Sequence, residues 1–384
     1  MGTLPADRVR VRDWASQPVG ASWRAFDVQL TVYALLLASL GLAMAYTNSG
    51  DAEALRSGST FLRGLVWAAV AIVAFAVAAA FDYNWLKTLS WPIYLVNLGL
   101  LGATLTWGSG IGGTARWIGI GGFQFQFSEL AKILMIAVLA NYLSGSGRNL
   151  DSLRSILGAC VVVGPPAVLV LLQPDLGTSI VFGSILVGML FLSGASVRWL
   201  SVLGAAAIAL VPVIWASVLR DYQKQRLISF LDPSADPQGS GFQLLQSQTA
   251  VSSGGLVGTG ITNGGSARAD LLPVQTTDFV FAVLSEELGF IGALVVFLLF
   301  VALIWRILVA GWRSRDPFGL AVAGGMASMI LFQLTVNVGM VLGIMPITGI
   351  PLPFVTHGGA SLVSMGLGLG LLQSINMRQG RAEW

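Results

Sequence analysis

The polar residues of this 384-residue chain that have the types and spacing for chemistry all interrupt or abut long apolar runs. The leading catalytic candidate is Asp278, the last residue of a polar stretch covering 219–278, where T-T-D gives way to F-V-F-A-V-L. On a helix opening there, Glu286 lies about 80° round from Asp278 and Glu287 about 180° away, so one acid shares its side. An aspartate at a helix start is often only a cap. This one, however, closes a segment rich in groups compatible with sugars and phosphates. The same segment opens with Arg220, Lys224 and Arg226, a basic cluster that suits a phosphate or diphosphate.

Upstream, Arg116 and Trp117 precede Glu129 and Lys132, which are three apart and share a helix face. Two readings stand: an ion pair that only joins helices, or Lys132 and Arg116 as anion binders at a cavity mouth. Trp117 either packs on a sugar face or lipid headgroup, or anchors the chain at the interface. Asp175, in the tight turn Q-P-D-L-G-T, is placed to cap the next helix. The run S-G-G-L-V-G-T-G (253–260) resembles a backbone nest but lacks the strand–helix context of a nucleotide loop. His357 is the only histidine and Cys160 the only cysteine. A soft-metal site and an intramolecular disulfide therefore have no residues to build them, and no Ser–His–Asp pattern stands out.

These groups need helices to hold them. Mean hydropathy is +0.78, 55% of residues are hydrophobic and 10% charged, which excludes an ordinary soluble domain and indicates a polytopic membrane protein. Apolar runs fall at about 28–46, 61–81, 87–107, 128–143, 155–172, 177–194, 199–218, 279–309, 318–343 and 359–377, giving about ten transmembrane helices in an all-α fold. The fourth is short and polar at its start, as if it began in a cavity. The eighth is long and should tilt or project. Pro165 and Pro166 should kink the fifth, and the helical glycines suit close packing.

Charge orients the chain. One side collects Arg8, Arg10, Arg12, Arg24, Lys87, Arg148, Arg154, Arg198, Arg306, Arg313, Arg315, Arg378 and Arg381. The other has Arg56, Arg63, Arg116, Lys132, Arg220, Lys224, Arg226 and Arg268. The larger set lies in short loops and marks the cytoplasmic side. That puts a cytoplasmic tail at 1–27, the membrane domain at 28–377 and a second cytoplasmic tail at 378–384. The large loop between helices 7 and 8 then faces outward. The proline- and glycine-rich run 336–361 should form a re-entrant or tightly folded outer loop bordering the cavity.

The runs G-T-A-R-W-I (113–118), Q-F-S-E-L-A-K (126–132), Q-P-D-L-G-T (173–178), D-Y-Q-K-Q-R (221–226), T-D-F-V-F-A-V-L-S-E-E-L-G (277–289) and P-I-T-G-I-P-L-P-F-V-T-H-G-G (346–359) resemble the SEDS family of peptidoglycan glycan-chain polymerases. The likeness covers nearly the whole chain and favours the family's elongation branch over its division branch. Phe127, Val274, Thr276 and His357 depart from the usual family residues. The resemblance implies an inverting glycosyltransferase in the bacterial cytoplasmic membrane, polymerising lipid II, a disaccharide-peptide on undecaprenyl diphosphate. Asp278 would take the proton of the acceptor hydroxyl. Arg116, Lys132, Arg226 and Lys224 would hold the diphosphate, directly or with a divalent cation (Mg or Mn). Glu129 would orient Lys132, Trp117 would line the groove and Asp175 would support the cavity. Implied partners are a class B penicillin-binding transpeptidase and other elongation-machinery membrane proteins, with no nucleic acid. The rival expectations are a lipid II flippase, a division-specific polymerase of the same family and a non-catalytic scaffold.

Overall fold

The computed structural model describes residues 22–49, 59–110, 116–120, 123–145, 150–237, 239–260, 278–314, 316–356 and 358–378. Arg268, Val274, Thr276 and His357 lie outside them, as do most of both tails. The protein is an all-helical polytopic membrane protein, and every expected apolar run is helical. These helices are α1 (Val28–Ser49), α2 (Thr60–Ala80), a short α3 (Asn84–Thr88) leading into α4 (Ser90–Trp107), α5 (Phe127–Leu143), α6 (Leu153–Leu172), α7 (Leu176–Leu192) and α8 (Val197–Ser217). After the large loop follow α11 (Val280–Arg313), α12 (Pro317–Val341) and α13 (Gly359–Arg378). Seven of them are long and apolar enough to cross a membrane. By contrast, α5 and α7 have 17 residues each. A two-stranded hairpin, β1 (Ile118–Ile120) with β2 (Phe123–Phe125), leads into α5.

Local chemistry sets the boundaries. Ser59, Ser152, Asp175 and Asp316 each cap the helix that follows with a side-chain oxygen, and Pro317 fills the first position of α12. Helix α6 continues through Pro165 and Pro166. The core is formed by α5, α7, α12, α13 and the start of α11, whose facing residues are almost all buried. Small residues allow close approach there. A Cβ on Gly366 or Gly370 would lie 2.6 or 2.5 Å from a backbone oxygen of α2. In contrast, α8 has no buried residue; it packs mainly on α7, and its Trp199 indole donates to the Asp151 carbonyl (2.7 Å).

The described part of the large loop is mostly helical. It contains α9 (Asp221–Leu231), a 3-10 turn at Pro233–Ala235 and α10 (Ser240–Ser253), which packs on α11 and α12. The glycine-rich run after α10 packs on α11 and shares backbone hydrogen bonds with it. The long eighth run breaks at Gly289, whose φ of 67° and ψ of −170° are non-helical. A break at membrane depth frees backbone groups that lipid cannot satisfy. The run 255–260 supplies their partners. Thr259 and Gly260 donate to the carbonyls of Glu286 and Glu287 (both 3.0 Å), while Phe290 and Ile291 donate to Gly255 and Leu256 (2.9 and 3.1 Å). Glycine is required in this contact: a Cβ on Gly258 would sit 2.1 Å from the Glu287 carbonyl oxygen.

The segment after α12 is tightly folded and buried, as the sequence leads one to expect. Ile347, Ile350, Leu352, Phe354 and Val355 are all in the core. It fits against α1 and α7 because Gly41 and Gly177 have no side chains; their Cβ atoms would lie 2.7 and 2.8 Å from the carbonyls of Phe354 and Thr348. At the opposite end, Arg306 pairs with Asp27 (2.6 Å), and Gln373 exchanges two hydrogen bonds with the backbone of Asp27. Lys87 pairs with Asp316 and lies over the rings of Tyr83 and Phe318.

Candidate functional site

Asp278 stands two residues ahead of α11, so the helix-wheel relation to Glu286 expected from a helix opening at Asp278 does not hold. Both glutamates are buried (3% and 1% exposed), and Glu287 accepts a hydrogen bond from Thr47 of α1 (3.3 Å). Asp278 itself is half-buried and meets the re-entrant segment at Gly349. A Cβ on Gly349 would lie 3.4 Å from Asp278 Oδ2 and 3.6 Å from Arg226 Nη1, so these two atoms are within about 7 Å of each other. The structure thus brings the loop's basic arm to the candidate base.

The next layer is built on the turn between α6 and α7. Arg116 donates to the carbonyls of Gln173 (3.4 Å) and Pro174 and to the Tyr222 hydroxyl (3.2 Å). Tyr222 donates in turn to the Pro174 carbonyl (2.8 Å), and the Arg226 guanidinium lies 5.9 Å from the Tyr222 ring. Arg116, Tyr222, Arg226, Gly177 and Thr348 line one small crevice. Two cations therefore share the crevice, and one of them, Arg226, lies near a carboxylate, a setting for an anionic group beside a proton acceptor.

Asp175 caps α7 by accepting from the Thr178 amide (3.2 Å) and hydroxyl (3.0 Å), and it also accepts from Gln126 (3.0 Å). Its capping role is thus present, and it is tied to the start of α5. One turn below Gln126, Glu129 and Lys132 form the expected pair at 2.8 Å. Lys132 is 0% exposed, so its ammonium has no surface to offer a ligand in this conformation. Trp117 is half-buried and bridges to Ser109 through its backbone. Lys224 lies about 160° round α9 from Arg226, on another face. The structure does not add it to the Arg116–Arg226 group.

Three contributors were not singled out from the sequence: Tyr222, Gln126 and Asn337. Tyr222 lies in the quoted D-Y-Q-K-Q-R run, four residues before Arg226 and thus on its face, which was the available signal. Asn337 looks like one more residue of an apolar helix, yet it is fully buried and donates to the carbonyls of Asp278 (3.1 Å) and Ile350 (2.8 Å). Deeper still, Ser128, Gln333, Ser361 and Ser364 are buried on α5, α12 and α13 with side-chain atoms lacking protein partners, as around internal water. Among the described residues no group of three or more His, Cys, Asp or Glu is placed to hold a metal ion. A divalent ion thus has no protein cage among them.

Comparison with known proteins agrees with this architecture. The family of cell cycle proteins comprising FtsW, RodA and SpoVE matches residues 28–381, and the chain belongs to that family. It is 39% identical over 286 residues to the peptidoglycan glycosyltransferase MrdB of Escherichia coli K12, covering 74% of this chain and 76% of that one. It is 37% identical over 358 residues to stage V sporulation protein E of Bacillus subtilis, covering 91% and 96%. Among solved structures, a chain from a peptidoglycan synthase complex described as coordinating polymerization and crosslinking superposes with a TM-score of 0.78. Identity there is 30%, and the match covers 92% of this chain and 98% of that one.

Proposed function

We propose that this protein is a peptidoglycan glycosyltransferase that polymerises lipid II on the outer face of the bacterial cytoplasmic membrane, with inversion at the sugar carbon. The observation that carries the reading is the meeting of Asp278 with Arg226 at Gly349, beside Arg116 and Tyr222. Asp278 takes the proton from the acceptor's 4-hydroxyl. The freed oxygen attacks the donor's anomeric carbon from the face opposite the diphosphate, whose bond to that carbon breaks as the β-glycosidic bond forms. Arg226 and Arg116 hold the departing diphosphate and stabilise its charge. Glu129 and Lys132 support the floor under Asp175, Trp117 lines the groove, and Lys224 lies at the loop's outer face. A divalent ion, if bound, would add positive charge at the diphosphate beside Arg226 and Arg116. The protein's own groups perform every step named here.

The relatives' names support the reaction, and the solved synthase complex supports a penicillin-binding transpeptidase as partner. The runs D-Y-Q-K-Q-R, T-N-G and 336–346 favour the elongation role. In a test, the purified protein with its transpeptidase partner receives labelled lipid II, and the parent is compared with Asp278→Asn. The parent should make glycan strands and the variant, equally well folded, about a thousandfold fewer. Equal strand synthesis by both removes Asp278 from the mechanism. No synthesis by either, with lipid II equilibrating across vesicles, replaces the enzyme reading by the flippase.

A further inference from the structure

Resting on the reading of Asp278 as the base, we propose that Asn337 is a positioning residue that sets the distance from the Asp278 carboxylate to Arg226. Asn337 lies near the outer end of α12, in the core and 0% exposed, where an uncharged amide must find partners to offset its burial. Both of its N–H groups do so. One donates to the carbonyl of Asp278 (3.1 Å), the other to that of Ile350 (2.8 Å).

Both carbonyls belong to backbone outside regular helix. At the start of α11 the first turn closes on the next residue: Ala282 and Val283 both donate to Phe279 (2.9 and 3.3 Å). Ile350 lies in irregular backbone, where no helix supplies a partner. Its neighbour Gly349, at φ 72°, is the residue against which Asp278 Oδ2 and Arg226 Nη1 meet. One amide thus grips the backbone of the base with one hydrogen and the backbone of the re-entrant segment with the other. The reversed amide would set its oxygen against two carbonyl oxygens, so the orientation is fixed by the chemistry. Asn337 touches neither substrate nor reacting atoms, and it acts only through the residue it holds.

A lost grip of this kind should lower turnover and leave lipid II binding alone, because misplacement of a reacting group by about 1 Å costs on the order of a hundredfold. The test compares the parent, Asn337→Ser, Asn337→Asp and Asp278→Asn, each reconstituted with the transpeptidase partner and supplied with fluorescent lipid II. Asn337→Ser should lose about ten- to a hundredfold in kcat, with the lipid II dissociation constant and the thermal midpoint close to the parent's. Asn337→Asp keeps the shape but turns a donor into an acceptor facing two oxygens. Its kcat should therefore fall as well, with lipid II binding kept. Parental kcat in Asn337→Ser overturns the inference, as does loss of lipid II binding in step with kcat. If Asn337→Ser fails to fold, parental kcat in Asn337→Asp overturns it instead. An active Asp278→Asn sinks the reading beneath it, which is a different result from an inactive Asp278→Asn beside a fully active Asn337→Ser.

Discussion

At the scale of single residues, the site separates groups that bear on substrate from groups that bear on folding, and the two kinds should respond differently to substitution. Lys132 is a buried ion bonded to Glu129. Its replacement by Met leaves an uncompensated carboxylate in the core and should cost about 3–5 kcal/mol of stability, much of it regained when Glu129→Leu is added. Arg226 is half-buried at the crevice, and Arg226→Gln should lower polymerisation with less than about 1 kcal/mol of destabilisation. Thermal unfolding in detergent and a strand-synthesis assay, run on the same samples, check both. Most of the named residues were legible because charge is costly beside lipid, so each acid or base that persists there attracts notice. Asn337 was not legible. An uncharged amide in an apolar helix gives no sign of whether it faces lipid, water or a carbonyl.

At the scale of elements, the sequence gives helix positions well, since hydropathy alone separates span from loop. Breaks inside a span are another matter. Gly289 reads like the packing glycines elsewhere in the chain, and nothing local announces that its φ is 67°. The partner run 254–260 reads equally well as a loop. What joins them is contact between residues about thirty apart, which no local pattern encodes. The junction is specific enough to test. Gly258→Ala places a methyl 2.1 Å from the Glu287 carbonyl oxygen at φ 87° and should destabilise by more than about 3 kcal/mol. Gly255→Ala, at φ 53° with open space around it, should cost only about 1 kcal/mol. Circular dichroism melts of the two variants against the parent distinguish them.

At the scale of the whole molecule, the two ends are built differently. One end carries a crevice lined by Arg116 and Arg226, with Asp278 meeting Arg226 at Gly349. The other end is tied shut by the Asp27–Arg306 and Lys87–Asp316 pairs, an arrangement that suits chemistry on one face better than passage across both. Tyr83, in the turn after α2, belongs to this closure. Burial, followed by the nearby Asp316 charge, pushes its phenol up to about 12. The folded state therefore holds that proton more tightly than the unfolded chain. The associated stability is present below pH 10 and is lost as pH rises towards 12. The parent's thermal midpoint should fall more steeply over that window than that of Tyr83→Phe. The joint at Gly289 bears on the molecule as a whole. A single rod of 34 residues would carry every change in bilayer thickness, as tilt, to the residue at its tip. Because the rod is spliced, its inner segment can lean with the surrounding lipid while the tip keeps its bearings from the loop it is stitched to. On the proposed mechanism, Asp278 ahead of that tip would be insulated mechanically from the membrane that feeds it.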